Sequence, residues 1–397
     1  MTQESGFQIQ VDQNEYLPEG GAVMDAVITV SVGGESAGLA PAAQADGPPT
    51  AAQVIVVDCS GSMTGSRLAE AKRATEAAID TLRDGVAFAV VRGANYGTMA
   101  YPQRVEMMTA SRTTRAAAKQ AVRRLQAGGG TAMGSWLGIA DQLFATQSAE
   151  LKHAILLTDG KNQHETPEEL QRILAECQGR FVCDSRGVGF DWVATELRAI
   201  ADALLGAADG LADAAELAAD FQAMTEAAMG KQVANVTLRL WTPAGAAIRF
   251  LKQVFPQVTD LTGRRAEVNP RTGDYPIGAW GAGESRDYHL SVEVPVGAVG
   301  AEMLAARVSV VVGDQVAGQQ LVRAQWTEDS ALSTRITPQV AHYTGQAELA
   351  AVIQEGLAAK GEGDEETATA KLGRAVQLAT ESGHDETAKL LAKVVDV

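Results

Sequence analysis

Two short apolar segments, each leading into an aspartate, limit most strongly how this chain folds. Residues 54–57 (Val-Ile-Val-Val) precede Asp58, and residues 154–157 (Ala-Ile-Leu-Leu) precede Thr158 and Asp159. Apolar runs of this length that end at glycine and polar residues are typical of buried strands. Because ligands bind beyond the carboxyl ends of the strands in an open α/β sheet, the sequence predicts a functional edge at these two aspartates.

Three hydroxyl side chains accompany the two aspartates. Ser60 and Ser62 follow Asp58 at alternate positions, and Thr131 follows the glycine run at residues 128–130. Glycine lets the backbone approach an ion or ligand closely. The five side chains offer only oxygen ligands, with neither imidazole nor thiolate, and such a set suits a hard divalent cation. Mg²⁺ is therefore the expected cofactor, with Mn²⁺ or Ca²⁺ as alternatives.

Helix capping is the alternative explanation for Asp58, Ser60 and Ser62, since serine and aspartate at a strand-to-helix turn often accept hydrogen bonds from free backbone N–H groups. Thr131 would then cap the helix that follows it, and Asp159 would belong to an ordinary turn. Neither explanation accounts for the separate segments together, whereas a shared metal site does.

Taken together, the five residues resemble the metal-ion-dependent adhesion site of the von Willebrand factor type A (VWA) domain. The resemblance covers roughly residues 51–230, and all five motif positions are present in the family's order: Asp58, Ser60, Ser62, Thr131 and Asp159. It implies that the two serines bind the ion directly and that the two aspartates act directly or through water. It also implies that the threonine joins or leaves the ligands of the ion as a partner binds.

The resemblance implies a recognition function. Two carboxylates leave a bound Mg²⁺ with an incomplete oxygen octahedron, and a Glu or Asp carboxylate of a protein partner would complete it. The expected function is a divalent-cation-dependent protein-interaction module, not an enzyme. The layout is similar to that of bacterial, including actinobacterial, VWA proteins and of inter-α-trypsin inhibitor heavy chains. Actinobacterial relatives tend to accompany Ser/Thr kinases, phosphatases and phosphopeptide-binding modules, which by analogy suggests an intracellular scaffold or signalling adaptor.

A Mg²⁺-dependent phosphohydrolase similar to the haloacid dehalogenase class is the alternative function. That class also places an aspartate after a strand, normally with a second aspartate two residues on as general acid and a suitably placed lysine. Lys161 follows Asp159, but the position of the second acid is occupied by Ser60. A serine cannot act as that acid near neutral pH.

Between residues 51 and 230, strand patterns alternate with helical ones, which predicts a doubly wound, mostly parallel sheet with helices on both faces. Strands are expected at residues 54–57, 88–91, 154–157 and 180–188, with a short edge strand at 104–108. The expected helices are residues 66–82, 113–125, 133–145, one that begins at Thr166, 193–205 and 214–229.

On either side of this region the apolar residues recur with period two, which is typical of antiparallel strands with one buried face. The N-terminal stretch holds too few strands to be stable alone, so we expect it to join the later strands in one β-sandwich into which the VWA domain is inserted. The expected domains are residues 1–50 (sandwich strands and a flexible linker from residue 33), 51–230 (VWA), 231–343 (remaining sandwich) and 344–397 (three helices).

The acidic composition narrows the choice of partners. The formal net charge is −16, which argues against nucleic acid and against an anionic membrane surface. No apolar stretch approaches the ~20 residues needed to span a bilayer, and residues 1–6 lack the features of a secretory signal. The three cysteines have neither disulfide nor zinc spacing. A cytoplasmic location is therefore expected.

Overall fold

A computed structural model describes residues 6–33, 50–188, 192–211, 216–333 and, with gaps, 340–381. In these residues the chain forms three sheets, and eight α-helices have defined bounds. The helices are α1 (Ser66–Thr81), α2 (Arg112–Arg123), α3 (Met133–Ala145), α4 (Pro167–Cys177), α5 (Ala194–Ala203), α6 (Leu217–Met229), α7 (Ser330–Ser333) and α8 (Glu365–Glu381). The strands are β1 (Phe7–Gln13), β2 (Tyr16–Pro18), β3 (Val23–Val32), β4 (Ala51–Asp58), β5 (Ala87–Gly93), β6 (Thr98–Tyr101), β7 (Met108–Thr109), β8 (Leu151–Thr158), β9 (Val182–Val188), β10 (Ala208–Leu211), β11 (Lys231–Trp241), β12 (Ala247–Phe255), β13 (Thr259–Asp260), β14 (Ala266–Asn269), β15 (Thr272–Gly281), β16 (Ser285–Glu293), β17 (Glu302–Val312) and β18 (Gln315–Thr327).

The first sheet is the predicted parallel sheet, in the order β10-β9-β8-β4-β5-β6, with β7 also paired to β5. Strands β10, β9, β8, β4 and β5 run parallel, and β6 and β7 run antiparallel to β5. Because β4 and β8 are parallel neighbours with Val57 opposite Leu157, Asp58 and Asp159 leave the sheet side by side at its carboxyl edge.

Helices cover both faces of this sheet, which explains why its strands are apolar throughout. Ile55 and Val57 of β4 pack on the side of α1, α2 and α6, whereas Val54 and Val56 pack on the side of α3, α4 and α5. All four side chains are fully buried, and burial of one such side chain contributes about 1.5–3 kcal/mol. The helix predicted at Thr166 is present, with that threonine as N-cap in a capping box.

The other two sheets form the predicted sandwich. Their orders are β1-β3-β16-β12-β13 and β14-β15-β11-β17-β18-β2. Strand β3 pairs along its length with β16, and β2 pairs with β18, so the N-terminal strands join the later ones as expected. The two sheets share one core, in which Met24 and Ile28 of β3 lie with Val236 and Leu238 of β11. The parallel sheet is thus inserted between β3 and β11.

One sequence prediction for the parallel sheet is wrong. Residues 104–107 do not form a strand, and Met108 belongs to the two-residue strand β7. The backbone turns before it, with Glu106 N–H bonded to the Arg104 carbonyl at 2.8 Å and Val105 about half exposed. Strands β6 and β7, on either side of that turn, pair with β5 instead. The edge strand β10 was also missed, because its short Ala-Asp-Gly-Leu sequence shows no apolar alternation.

The C-terminal segment is described only in part. Helix α8 matches the second of the three expected helices. Its Leu372 and Leu378 pack with Leu349 and Val352, which belong to the first expected helix. The third expected helix, near residues 388–395, and most of the expected linker at 33–50 lie outside the described residues, and the domain boundaries stay predictions. No helix in the described part of the chain is long and apolar enough to cross a membrane.

Candidate metal centre

The loops after β4 and before α3 are joined by backbone hydrogen bonds. Gly61 N–H donates to the Gly129 carbonyl at 2.8 Å, and Gly128 N–H donates to the Cys59 carbonyl at 2.7 Å. Gly129 has a φ of 93°, a left-handed conformation that favours glycine. The glycine run therefore lies directly against the loop that carries the two serines, and it brings Thr131 to the same edge as Asp58.

Asp58 is fully buried at the end of β4. Its Oδ1 accepts the Ser60 N–H at 2.7 Å, and its Oδ2 accepts the Thr158 hydroxyl at 2.6 Å. Burial raises the pKa of this carboxyl group, while the hydrogen bonds from Thr158 and Ser60 act in the opposite direction. The side chain is held in one orientation by a donor from the loop after β4 and a donor from the end of β8.

The two serines connect the first loop to the second aspartate. The Ser60 and Ser62 hydroxyl oxygens lie 3.0 Å apart, and the Ser62 hydroxyl donates to Asp159 Oδ1 at 2.6 Å. A Cβ atom placed on Gly160 would lie 3.4 Å from Ser62 Oγ and 3.5 Å from Thr131 Oγ1, so both hydroxyls are in contact distance of one point. The structure thus brings all five predicted side chains together.

Arg67, which the sequence analysis did not single out, also contacts the site. Its Nη1 lies 2.9 Å from Asp159 Oδ2, where Asp159 is fully buried and the arginine side chain is 35% exposed. Each of the four carboxylate oxygens of Asp58 and Asp159 therefore has a donor within the protein. A sequence signal existed, because Arg67 lies in the first turn of α1, where a cation is disfavoured by the helix dipole.

His164 fixes the backbone of Thr131. The Thr131 carbonyl accepts the Gln163 and His164 N–H groups at 3.1 and 2.9 Å, and the Thr131 N–H donates to His164 Nδ1 at 3.2 Å. A Cβ atom on Gly130 would lie 1.9 Å from His164 Cε1, so the ring occupies the space that any other residue at position 130 would need. Asn95 Oδ1 accepts the Gly130 N–H.

The loop after Asp159 also caps α3. Asn162 Oδ1 accepts the Met133 N–H at 3.0 Å, and Glu165 accepts the N–H groups of Gly134 and Ser135 at 2.5 and 3.3 Å. These acceptors satisfy free N–H groups at the helix N-terminus. They were missed in the sequence because the capping residues lie 29 and 31 positions after the N–H groups that they cap, a pairing that only the fold creates.

The donor set fits a hard cation. The candidate site contains two carboxylates and three hydroxyls. In the described ranges, no cluster of three or more His, Cys, Asp or Glu side chains is placed to hold a metal ion. Cys59, between Asp58 and Ser60, points away into the core and is fully buried. Burial raises the pKa of its thiol to about 12, and its position in the core keeps the sulfur away from the five oxygen-bearing side chains. The chemistry is that of an all-oxygen Mg²⁺, Mn²⁺ or Ca²⁺ site.

Comparison with known proteins identifies the family. The model of the von Willebrand factor type A domain matches residues 54–215, and that of the von Willebrand factor type A C-terminal domain matches residues 377–397. A solved von Willebrand factor type A protein from the actinobacterium Catenulispora acidiphila is 50% identical, covers 99% of this chain and 90% of its own, and superposes with a TM-score of 0.92. The chain belongs to the VWA family. VWA domains are typically metal-dependent protein-interaction modules.

Two further relatives match different shares of this chain. The ArnB paralog VWA2 from Sulfolobus acidocaldarius shares the fold, with a TM-score of 0.60 at 12% identity over 98% of this chain and 93% of its own. An uncharacterized protein from Synechocystis is 27% identical over 215 residues, which are 52% of this chain. The chain spans about half (49%) of the length of that curated relative. The comparisons give no support to the phosphohydrolase alternative.

Proposed function

We propose that this VWA protein binds a divalent cation, preferably Mg²⁺, through Asp58, Ser60, Ser62, Thr131 and Asp159, and that the ion holds a Glu or Asp carboxylate of a protein partner. One observation carries the proposal: the Ser60 and Ser62 hydroxyl oxygens lie 3.0 Å apart, with Ser62 bonded to Asp159 at 2.6 Å. Oxygen atoms from separate loops therefore converge on one point, as a hard cation requires.

Charge balance supports an acidic partner. Asp58 and Asp159 contribute two negative charges, and Arg67 contributes one positive charge. A divalent cation would leave the centre with an excess positive charge, which a partner carboxylate neutralises. The polar side chains of the site also favour binding over catalysis. The Ser60 and Ser62 hydroxyls contact each other, and Ser62 donates to Asp159. The Nδ1 atom of His164 accepts the Thr131 N–H, so this nitrogen is already hydrogen-bonded to the protein.

A protein partner also fits the rim of the site. Tyr96 is 66% exposed and lies between Asn95, which binds Gly130, and Gly97, whose N–H donates to Ser135 Oγ at 3.1 Å. The ring is thus presented from a segment fixed on both sides. Tyrosine is enriched in protein interfaces, and because its side chain has only two rotatable χ angles it loses little entropy on binding.

The cellular role that we propose is a cytoplasmic, non-enzymatic scaffold or adaptor, with Ser/Thr kinases or phosphatases as the partner class suggested by the family resemblance. The three cysteines are buried and unpaired, which agrees with a reducing compartment. The formal net charge of −16 continues to disfavour nucleic acid and anionic membranes.

Isothermal titration with Mn²⁺ and Mg²⁺ tests the site. Asp58→Ala removes a buried carboxylate beside the ion, and it is expected to abolish binding. Asp84→Ala, on the surface with its side chain 76% exposed, is the matched control and is expected to bind normally. Full affinity in Asp58→Ala would refute the assignment. Pull-down with and without chelator, with Ser60→Ala protein as control, then tests whether partner capture depends on the ion.

A further inference from the structure

Arg67 occupies a position that local helix physics disfavours. It is the second residue of α1, whose first turn reads Ser-Arg-Leu-Ala and whose N-cap, Gly65, makes no side-chain capping bond. The N-terminus of a helix carries partial positive charge, so an anion there is stabilising and a cation is not. One contact that compensates Arg67 is its ion pair with the fully buried Asp159 at 2.9 Å.

That ion pair involves the same carboxylate that we assign to the metal ion. Asp159 Oδ1 accepts the Ser62 hydroxyl at 2.6 Å, and Oδ2 contacts the guanidinium. A buried carboxylate left without a compensating charge is strongly destabilising. In the absence of an ion, Arg67 supplies that charge to Asp159.

We propose that Arg67 is a tethered cation that stabilises the metal-free site and competes with the divalent ion for Asp159. This inference rests on the proposed function. Two like charges separated by a few ångströms in a partly buried site repel each other substantially, so Arg67 weakens cation binding. About a third of its side chain is exposed, which gives the guanidinium room to turn outward while α1 stays in place.

The competition couples the ion to the partner. With Arg67 present, the ion enters a centre that already holds one positive charge, and an arriving carboxylate relieves the repulsion between the two cations. Ion and acidic partner therefore bind with positive, reciprocal coupling. Arg67 keeps the affinity for the ion alone moderate and makes full occupancy depend on the partner.

The test is Mn²⁺ affinity by titration calorimetry, together with the thermal midpoint of the full chain in chelator. Arg67→Gln removes the charge and retains a hydrogen-bond donor; Arg67→Met is a second neutral variant. Both are expected to bind Mn²⁺ at least about tenfold more tightly than the wild type, because the repulsion is lost. Without the ion, both variants are also expected to have a lower thermal midpoint than the wild type. Saturating Mn²⁺ is expected to raise their thermal midpoint by more than it raises that of the wild type.

Two controls isolate the charge at this position. Arg67→Lys keeps the charge and is expected to stay close to wild-type affinity. Arg73→Gln makes the same charge change on the same helix, at a residue that pairs with Glu70, and is also expected to leave affinity unchanged.

Failure of this inference differs from failure of the proposed function. Unchanged or weaker Mn²⁺ binding by a folded neutral variant, beside normal binding by the wild type, overturns the role of Arg67 and leaves the metal site standing. Absence of Mn²⁺ binding in the wild type and in Arg73→Gln overturns both.

Discussion

At the scale of single residues, the site is organised by close contacts that leave no room for substitution. The ring of His164 lies over Gly130, where a Cβ atom would be 1.9 Å from Cε1 and 2.0 Å from Nδ1. The same Nδ1 accepts the N–H of Thr131. A side chain at position 130 therefore has to displace the group that orients Thr131.

Gly130→Ala is expected to weaken Mn²⁺ binding about tenfold and to lower the free energy of unfolding by about 1–3 kcal/mol, the usual cost of overpacking. Titration calorimetry and urea unfolding measure the two effects. The control is Gly138→Ala in α3, where an added Cβ atom meets nothing within 4 Å and is expected to stabilise the helix by about 0.5–1 kcal/mol. Normal affinity in Gly130→Ala would show that His164 does not position Thr131.

At the scale of secondary-structure elements, α3 depends on the loop that follows β8. Glu165 accepts the N–H groups of Gly134 and Ser135, and its Oε1 also accepts the Asn162 side-chain amide at 2.7 Å. The segment that carries Asp159 is thereby fixed to the helix that follows Thr131. These contacts keep two of the three site-forming segments in register.

Glu165→Ala is expected to cost about 2 kcal/mol of the free energy of unfolding, because hydrogen bonds to a charged group typically contribute about 1.5–3 kcal/mol. Mn²⁺ affinity is expected to fall as well, since the Asp159 loop loses its attachment to α3. Glu168→Ala, an exposed residue in the first turn of α4, is the control and is expected to cost less than about 1 kcal/mol. Equal effects of the two substitutions in urea unfolding would contradict the capping role.

At the scale of the whole molecule, apolar side chains join the parallel sheet to the sandwich. Ala234 and Ala279 of the sandwich pack against the core of the parallel sheet, and Leu205 of the parallel-sheet region packs against the sandwich core. Each region otherwise has a large core of its own. The five residues of the proposed metal site lie at the carboxyl edge of β4 and β8, and all five belong to the parallel-sheet region.

A fragment of residues 51–230 is therefore expected to fold alone and to bind Mn²⁺ within about twofold of the full chain, since distant sites couple weakly. It is expected to melt at a lower temperature because the apolar contact is lost. Circular dichroism and calorimetry check both points, with the Ser60→Ala fragment as the non-binding control. An unfolded fragment would mean that the predicted boundaries do not delimit an autonomous domain.

Much of this organisation could be predicted from the sequence because it depends on local patterns. Asp58 and Asp159 follow apolar runs that only a buried strand explains, and the sheet then places them together. The partners of Arg67 and His164 could not be assigned in that way, since they lie 92 and 33 positions away in the chain. The strand predicted near Val105 failed because alternating apolar residues also occur in an exposed turn.

The hydrogen bonds to the four carboxylate oxygens have a consequence for the kinetics of the proposed site. Each of those oxygens already has a donor from the chain, so loops need not be ordered when an ion arrives. Mg²⁺ gives up its hydration water reluctantly. The exchange rate of the ion is then limited by the loss of that water and by the outward turn of the Arg67 side chain, rather than by rearrangement of the loops.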